Sequence, residues 1–145
     1  TLCTTASDLS RELDKADAKL RAGAHFLVTD VIYDVEEATR VLDALRSRGV
    51  ALPVLATLAP FQDIRTLQRL SHEVPEISIP LSVLAHAAQR HRRNRDHPEQ
   101  IAELAVRMVE KLRHLVAGVV VHVPSGMDEP AVQLVRALVR LRSDP

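Results

Sequence analysis

Short apolar runs alternate with amphipathic stripes along nearly the whole sequence, and this alternation restricts the fold more than any single motif. The clearest run is 118–123, Gly-Val-Val-Val-His-Val, apolar at consecutive positions. Such a run predicts a parallel strand covered on both faces. Residues 25–30 and 52–58 read as further buried strands, and 76–79 as a shorter one ended by Pro80. Between them lie stripes at helical spacing. Ser7-Asp8 caps a helix with Leu9, Leu13, Ala16 and Leu20 inward, stopped at Gly23. Asp34 and Glu37 have capping-box spacing and open a stripe of Val35, Ala38, Val41, Leu42 and Leu45, closed by Gly49. After Pro60, Phe61, Ile64, Leu67 and Leu70 fall at helical spacing, and Pro80 starts a helix through Leu81, Leu84, Ala85 and Ala88. Pro98 opens the strongest stripe, Ile101, Leu104, Ala105, Met108, Val109, Leu112 and Leu115. A last helix follows Asp128, with Val132, Val135, Leu138 and Val139 predicted inward and Arg136, Arg140 and Arg142 outward.

Strand followed by helix, repeated with short connections, predicts an α/β fold of parallel strands with crossover helices. The 145 residues give one domain, 1–145. Two architectures accommodate four such strands: a small open sheet, which the length favours, or part of a (βα)8 barrel, which needs about 250 residues. Composition removes several functions. Nineteen basic residues balance nineteen acidic ones, and the aromatics are Phe26, Tyr33 and Phe61 alone, so neither a global field nor a stacking surface suits nucleic acid. No apolar run approaches the roughly 18–20 residues of a membrane helix. Cys3 is the single cysteine, so an internal disulfide and a thiolate zinc site are excluded and a cytoplasmic setting is expected. Thr1 reads as a cut or processed start, so the chain is expected to be part of something longer.

Five segments, in order, resemble the methylenetetrahydrofolate reductase family, and most of all the type fused to a homocysteine methyltransferase. They are 20–30 (Leu-Arg-Ala-Gly-Ala-His-Phe-Leu-Val-Thr-Asp), 33–35 (Tyr-Asp-Val), 58–60 (Leu-Ala-Pro), 72–80 (His-Glu-Val-Pro-Glu-Ile-Ser-Ile-Pro) and 115–124 with Gly126. The resemblance favours the barrel over the open sheet and implies that this chain is its second half, about strands five to eight. It implies FAD and NAD(P)H as cofactors, 5,10-methylenetetrahydrofolate as substrate, 5-methyltetrahydrofolate as product, and a role in methionine biosynthesis. In the family the proton-donating acid and most flavin contacts belong to the first half, so this chain alone is expected neither to hold FAD nor to turn over.

The resemblance also places three candidate substrate-binding residues. Asp30 stands where the family has a pterin-contacting Gln, Thr57 follows Ala56 where the family has a Gly, and Leu70 fills a slot that some members give to a stacking Phe. An amide donates and accepts hydrogen bonds whereas a carboxylate only accepts, so Asp30 changes which pterin edge is tolerated. These three departures keep an alternative open: a non-catalytic interaction or regulatory module built on a half-barrel. In either case two unpaired sheet edges predict a homo-oligomer or a partner that supplies the missing half. Other candidates weigh less. Asp30 also reads as a loop-ordering carboxylate, and His122 as a buried structural histidine ahead of a base. The basic stretch from His86 to His97 reads as a solvated connector ahead of a phosphate site, and its histidine spacing assigns no metal. Ser78 and Ser125 lack a nucleophile-elbow context, and four glycines build no phosphate cradle.

Overall fold

A computed structural model describes residues 1–5, 8–60, 65, 67, 68, 79, 81–92, 98–123 and 128–143. In chain order these form α1 (Leu9–Arg21), β1 (Leu27–Val31), α2 (Val35–Ser47), β2 (Val54–Leu58), α3 (Leu81–Arg92), α4 (Pro98–Leu112), β3 (Gly118–Val121) and α5 (Asp128–Ser143). The capping residues act as their types dictate. The Asp8 and Asp34 side chains accept from the backbone N–H of Arg11 and Glu37, each satisfying an orphan donor of the first turn. Gly49 closes α2 in the left-handed region, at φ +81°, where a Cβ would be strained.

The three strands are parallel and lie in the order β1-β2-β3. Leu27 pairs with Val54, and Leu55 through Leu58 pair with Gly118 through Val121. Ahead of them, Leu2 forms a parallel bridge to Thr29 and extends the sheet beyond β1. One face is the core: Leu27, Val54, Ala56 and Leu58 pack with Leu13 and Ala16 of α1, Val41, Leu42 and Leu45 of α2, Ala105 and Leu112 of α4, and Leu134 of α5. Register places Val28, Leu55, Gly118 and Val120 on the opposite face, and all four are only half-buried. Sequential parallel strands with α1, α2, α4 and α5 packed on one face form an open three-stranded wall of the kind that closes into a barrel.

The expected strand 76–79 lies outside the described residues except for Ile79, which is buried, and β2 pairs directly with β3. Three expectations change here. β3 is half-buried along its length rather than fully covered on both faces, and among the described strands it pairs with β2 alone. In α5 the inward residues are Ala131, Leu134 and, in part, Leu138, whereas Val132, Val135 and Val139 are 42%, 45% and 59% exposed. The helix is apolar around most of its circumference, and its packing against α4 selects the ridge one position away. Leu81 is 83% exposed and Ala85 is exposed, so the α3 stripe begins outside the core. Arg136 and Arg140 do face outward. The helix expected from Phe61 to Leu70 and the connector 93–97 lie largely outside the described residues, as does the side chain of Arg142.

Candidate functional site

In a barrel of parallel strands, side chains at the carboxyl ends face the mouth where chemistry is done. Here those ends carry Asp30 on β1, Thr57 on β2, and His122 just past β3. A register irregularity between Val28 and Val31 disrupts the β1 ladder beside them. Such a bulge leaves backbone groups unpaired and re-aims the side chains it carries. Two threonines fill the gap. The backbone N–H of Thr57 donates to Thr29 Oγ1 (2.9 Å), and the Thr57 hydroxyl donates to the carbonyl of Thr29 (2.8 Å). Both residues are buried, so this reciprocal pair replaces ladder bonds that water cannot supply. Past the bulge the ladder resumes with Ile32 N–H donating to the Thr57 carbonyl.

Asp30 is half-buried, and one of its oxygens is occupied. Oδ1 accepts from the backbone N–H of Thr4 at 2.9 Å and from the Thr4 hydroxyl at 2.7 Å. Thr4 is 1% exposed, so the carboxylate satisfies two donors that have no access to solvent. A second carboxylate acts on the next residue back: Glu12 of α1, 4% exposed, accepts from the backbone N–H of Cys3 at 2.9 Å and pairs with Lys15 at 3.0 Å. Burial works against the Glu12 charge, but the Cys3 N–H, Lys15 and Lys19 outweigh it and hold its pKa below the usual value. Leu2, wholly buried, adds backbone bonds to Val28 and Asp30. Asp30 therefore organises backbone as the loop-ordering reading expects, yet its partner is the strand ahead of α1 rather than the loop before α2.

Tyr33 stands beside this cluster. Burial pushes its phenol up to about 12, and the negative charge of Asp30 adds to the rise. His122 is exposed and holds the sheet only through its backbone N–H, which donates to the Leu58 carbonyl at 2.8 Å. The buried structural role expected for it does not hold. Leu70 lies outside the described residues, as do Ser78 and Ser125. Sequence reasoning missed Thr4, Thr29 and Glu12. The signal for the first was the β-branched start, Thr-Leu-Cys-Thr-Thr, preceding a helix as every other strand here does.

A groove of about 530 Å³ opens at the other end of the wall, lined by Leu42, Leu45, Arg46, Pro53, Leu115 and Val116 among others. It lies at the amino ends of β2 and β3, the end of a barrel that serves stability. Among the described residues no group of three or more His, Cys, Asp or Glu could hold a metal ion, and no described helix is long and apolar enough to cross a membrane.

The three parallel strands form an open α/β sheet of the kind found in part of a barrel. The chain belongs to the methylenetetrahydrofolate reductase family, whose model matches residues 2–125. No curated protein matches the chain significantly. The family is a reductase-like, folate-linked barrel that generally uses FAD. A flavin dinucleotide carries a diphosphate, which is held by cations or by a cradle of backbone N–H groups. Asp30–Tyr33, Thr57–Pro60 and His122–Val123 supply a carboxylate, hydroxyls and one imidazole, with no Lys, Arg or Gly. These strand ends do not fit the diphosphate, and no step through FAD is assigned to them.

Proposed function

We propose that the chain is the carboxyl-terminal half-barrel of a methylenetetrahydrofolate reductase, 1–145, lining the folate side of the site with Asp30, Thr57 and Leu70. The observation that carries this reading is the position of Asp30 and Thr57 at the carboxyl ends of neighbouring strands, across a bulge that turns Asp30 out of the ladder. Reduction of 5,10-methylenetetrahydrofolate then needs FAD, NAD(P)H and a proton donor from the remaining half, supplied by a longer parent chain or a partner. The order of the matching segments supports kinship with the type fused to a homocysteine methyltransferase, in a cytoplasmic route to methionine.

A second reading, a non-catalytic interaction or regulatory module, is favoured by one observation: Asp30 Oδ1 and the Thr57 hydroxyl are already engaged by Thr4 and Thr29. Calorimetry with a reduced folate separates the two. The first reading expects Asp30→Gln, which restores a donor, to tighten folate binding by about fivefold, the worth of one hydrogen bond. Equal folate binding by the wild type and Asp30→Gln, or no folate binding by either, overturns it in favour of the module. Gel filtration with FAD is expected to leave the chain free of flavin, and stoichiometric retention would refute the assignment of the flavin site to the other half.

A further inference from the structure

Residues 1–5 run along the leading edge of the sheet, and side chains of α1 already occupy that edge. Leu2 N–H donates to the Val28 carbonyl at 2.7 Å and the Leu2 carbonyl accepts from Asp30 N–H at 2.9 Å, so both Leu2 groups face β1. In an extended segment the backbone groups of successive residues point to opposite sides. Thr4 N–H accordingly turns back toward β1 and donates to Asp30 Oδ1. Cys3 N–H and the Thr1 carbonyl therefore point the other way, outward along the edge. A parallel neighbour would set one residue between them, its carbonyl accepting from Cys3 N–H and its N–H donating to the Thr1 carbonyl. Leu2 makes the same pattern with Val28 and Asp30.

Both places are filled from α1. Glu12 Oε1 accepts from Cys3 N–H at 2.9 Å, and Lys19 Nζ donates to the Thr1 carbonyl. Glu12 and Lys19 lie about two turns apart, on one face of the helix. Each charge has the polarity that its backbone partner demands, and Lys15 holds the second Glu12 oxygen at 3.0 Å. We propose that Glu12 and Lys19 form an autoinhibitory clasp, standing in for one peptide unit of a neighbouring strand and keeping the leading edge from pairing. An open edge is a template for another chain, and inward-pointing charge is a common means of blunting it. A strand reaches this edge only by displacing both side chains, which strips the buried Glu12 carboxylate of its backbone donor. The leading edge is thus shut, where a half-barrel on its own is expected to leave it open. On the half-barrel reading, the strand that the remaining half brings to this edge has to open the clasp first.

Sedimentation velocity in reducing buffer tests this on the 145-residue chain, with circular dichroism confirming that each variant keeps its fold. Glu12→Ala/Lys19→Ala opens both places. Adding Cys3→Pro to that double variant removes the edge donor and spares every bond to β1, since a proline is tolerated where its missing N–H faces outward. The double variant is expected to self-associate about tenfold more tightly than the wild type, and Cys3→Pro to cancel the gain. A double variant that associates no more tightly than the wild type, or a gain that survives Cys3→Pro, overturns the proposal. Amide exchange probes the clasp without opening it: wild-type Cys3 N–H is expected to exchange about tenfold more slowly than an unstructured amide, and Glu12→Ala to lose that protection. Exchange of the wild-type Cys3 amide at the unstructured rate also overturns the clasp. No readout here involves folate or flavin, so failure of the clasp and failure of the reductase reading are told apart.

Discussion

Replacing Asp30 with Ala removes the acceptor that serves both the backbone N–H and the hydroxyl of Thr4. Thr4 is 1% exposed, so neither donor can turn to water without moving the strand that carries it. An unsatisfied buried donor costs about 1–3 kcal/mol, and the lower part of that range applied to both donors predicts a loss of about 2–3 kcal/mol. For a chain of this length that is a fall in Tm of about 5–10 °C. Asp30→Asn keeps a carbonyl oxygen in the same place and exchanges two charge-assisted bonds for neutral ones, a loss of about 1 kcal/mol. Thr4→Val deletes only the hydroxyl, and in the double variant with Asp30→Ala its effect should shrink, because both changes remove the same bond. Urea unfolding followed by circular dichroism measures the four variants against the wild type. If Asp30→Ala lies within 0.5 kcal/mol of the wild type (an error margin of about 10% on typical stabilities), or equals Asp30→Asn, Asp30 does not hold the leading strand.

Tyr33 is the one tyrosine in a chain without tryptophan, so tyrosinate absorbance reports this group alone. Its midpoint is expected near pH 12 rather than 10; since the folded pKa is the higher, its stabilising contribution is complete below pH 10 and disappears as pH rises toward 12. A midpoint near 10 would refute the burial argument, and Asp30→Asn should lower the midpoint by removing a negative neighbour. Glu12 titrates in the opposite sense: its folded pKa lies below the ordinary 4.5, so its contribution is present above that value and lost as pH falls through the folded one. Glu12→Gln should cost about 1 kcal/mol at pH 7 and flatten the acid limb of a stability profile, and an unchanged limb would count against the role given to Cys3 N–H and Lys15.

The strands around 27–31 and 54–58 and helices α1, α2 and α4 were readable because burial and period agree there: each has one apolar face, and one core receives it. α5 shows the limit. Its apolar residues span two ridges, and only contacts distant in sequence decide which one turns inward, so Val132 was placed on the wrong side while Leu134 was overlooked. For β3 the run of valines correctly indicates a strand, but coverage depends on neighbours that the run itself does not encode. At the site, strand ends were legible from the position of Asp30 and Thr57. The bulge was not, since it arises from a mismatch between two strands, and neither strand carries a glycine to mark it. The coupling of Asp30 to Thr4 joins residues 26 apart in sequence. No local pattern announces such a pair.

The direct pairing of β2 with β3 has a kinetic consequence. β1 and β2 meet across a single helix, whereas Leu58 and Val121 must close a loop of roughly sixty residues, about twice as long. Entropy charges only about 0.6 kcal/mol for that doubling, which slows the closing step by a factor of about three. What the long segment does is divide assembly in time. The β1-α2-β2 unit gathers first from nearby contacts, and the α4-β3-α5 unit docks on it afterwards through the β2–β3 row of backbone bonds and the shared core against α2. Amide exchange should record this order as two tiers of protection, with β2 holding its protons longest because it alone belongs to both units.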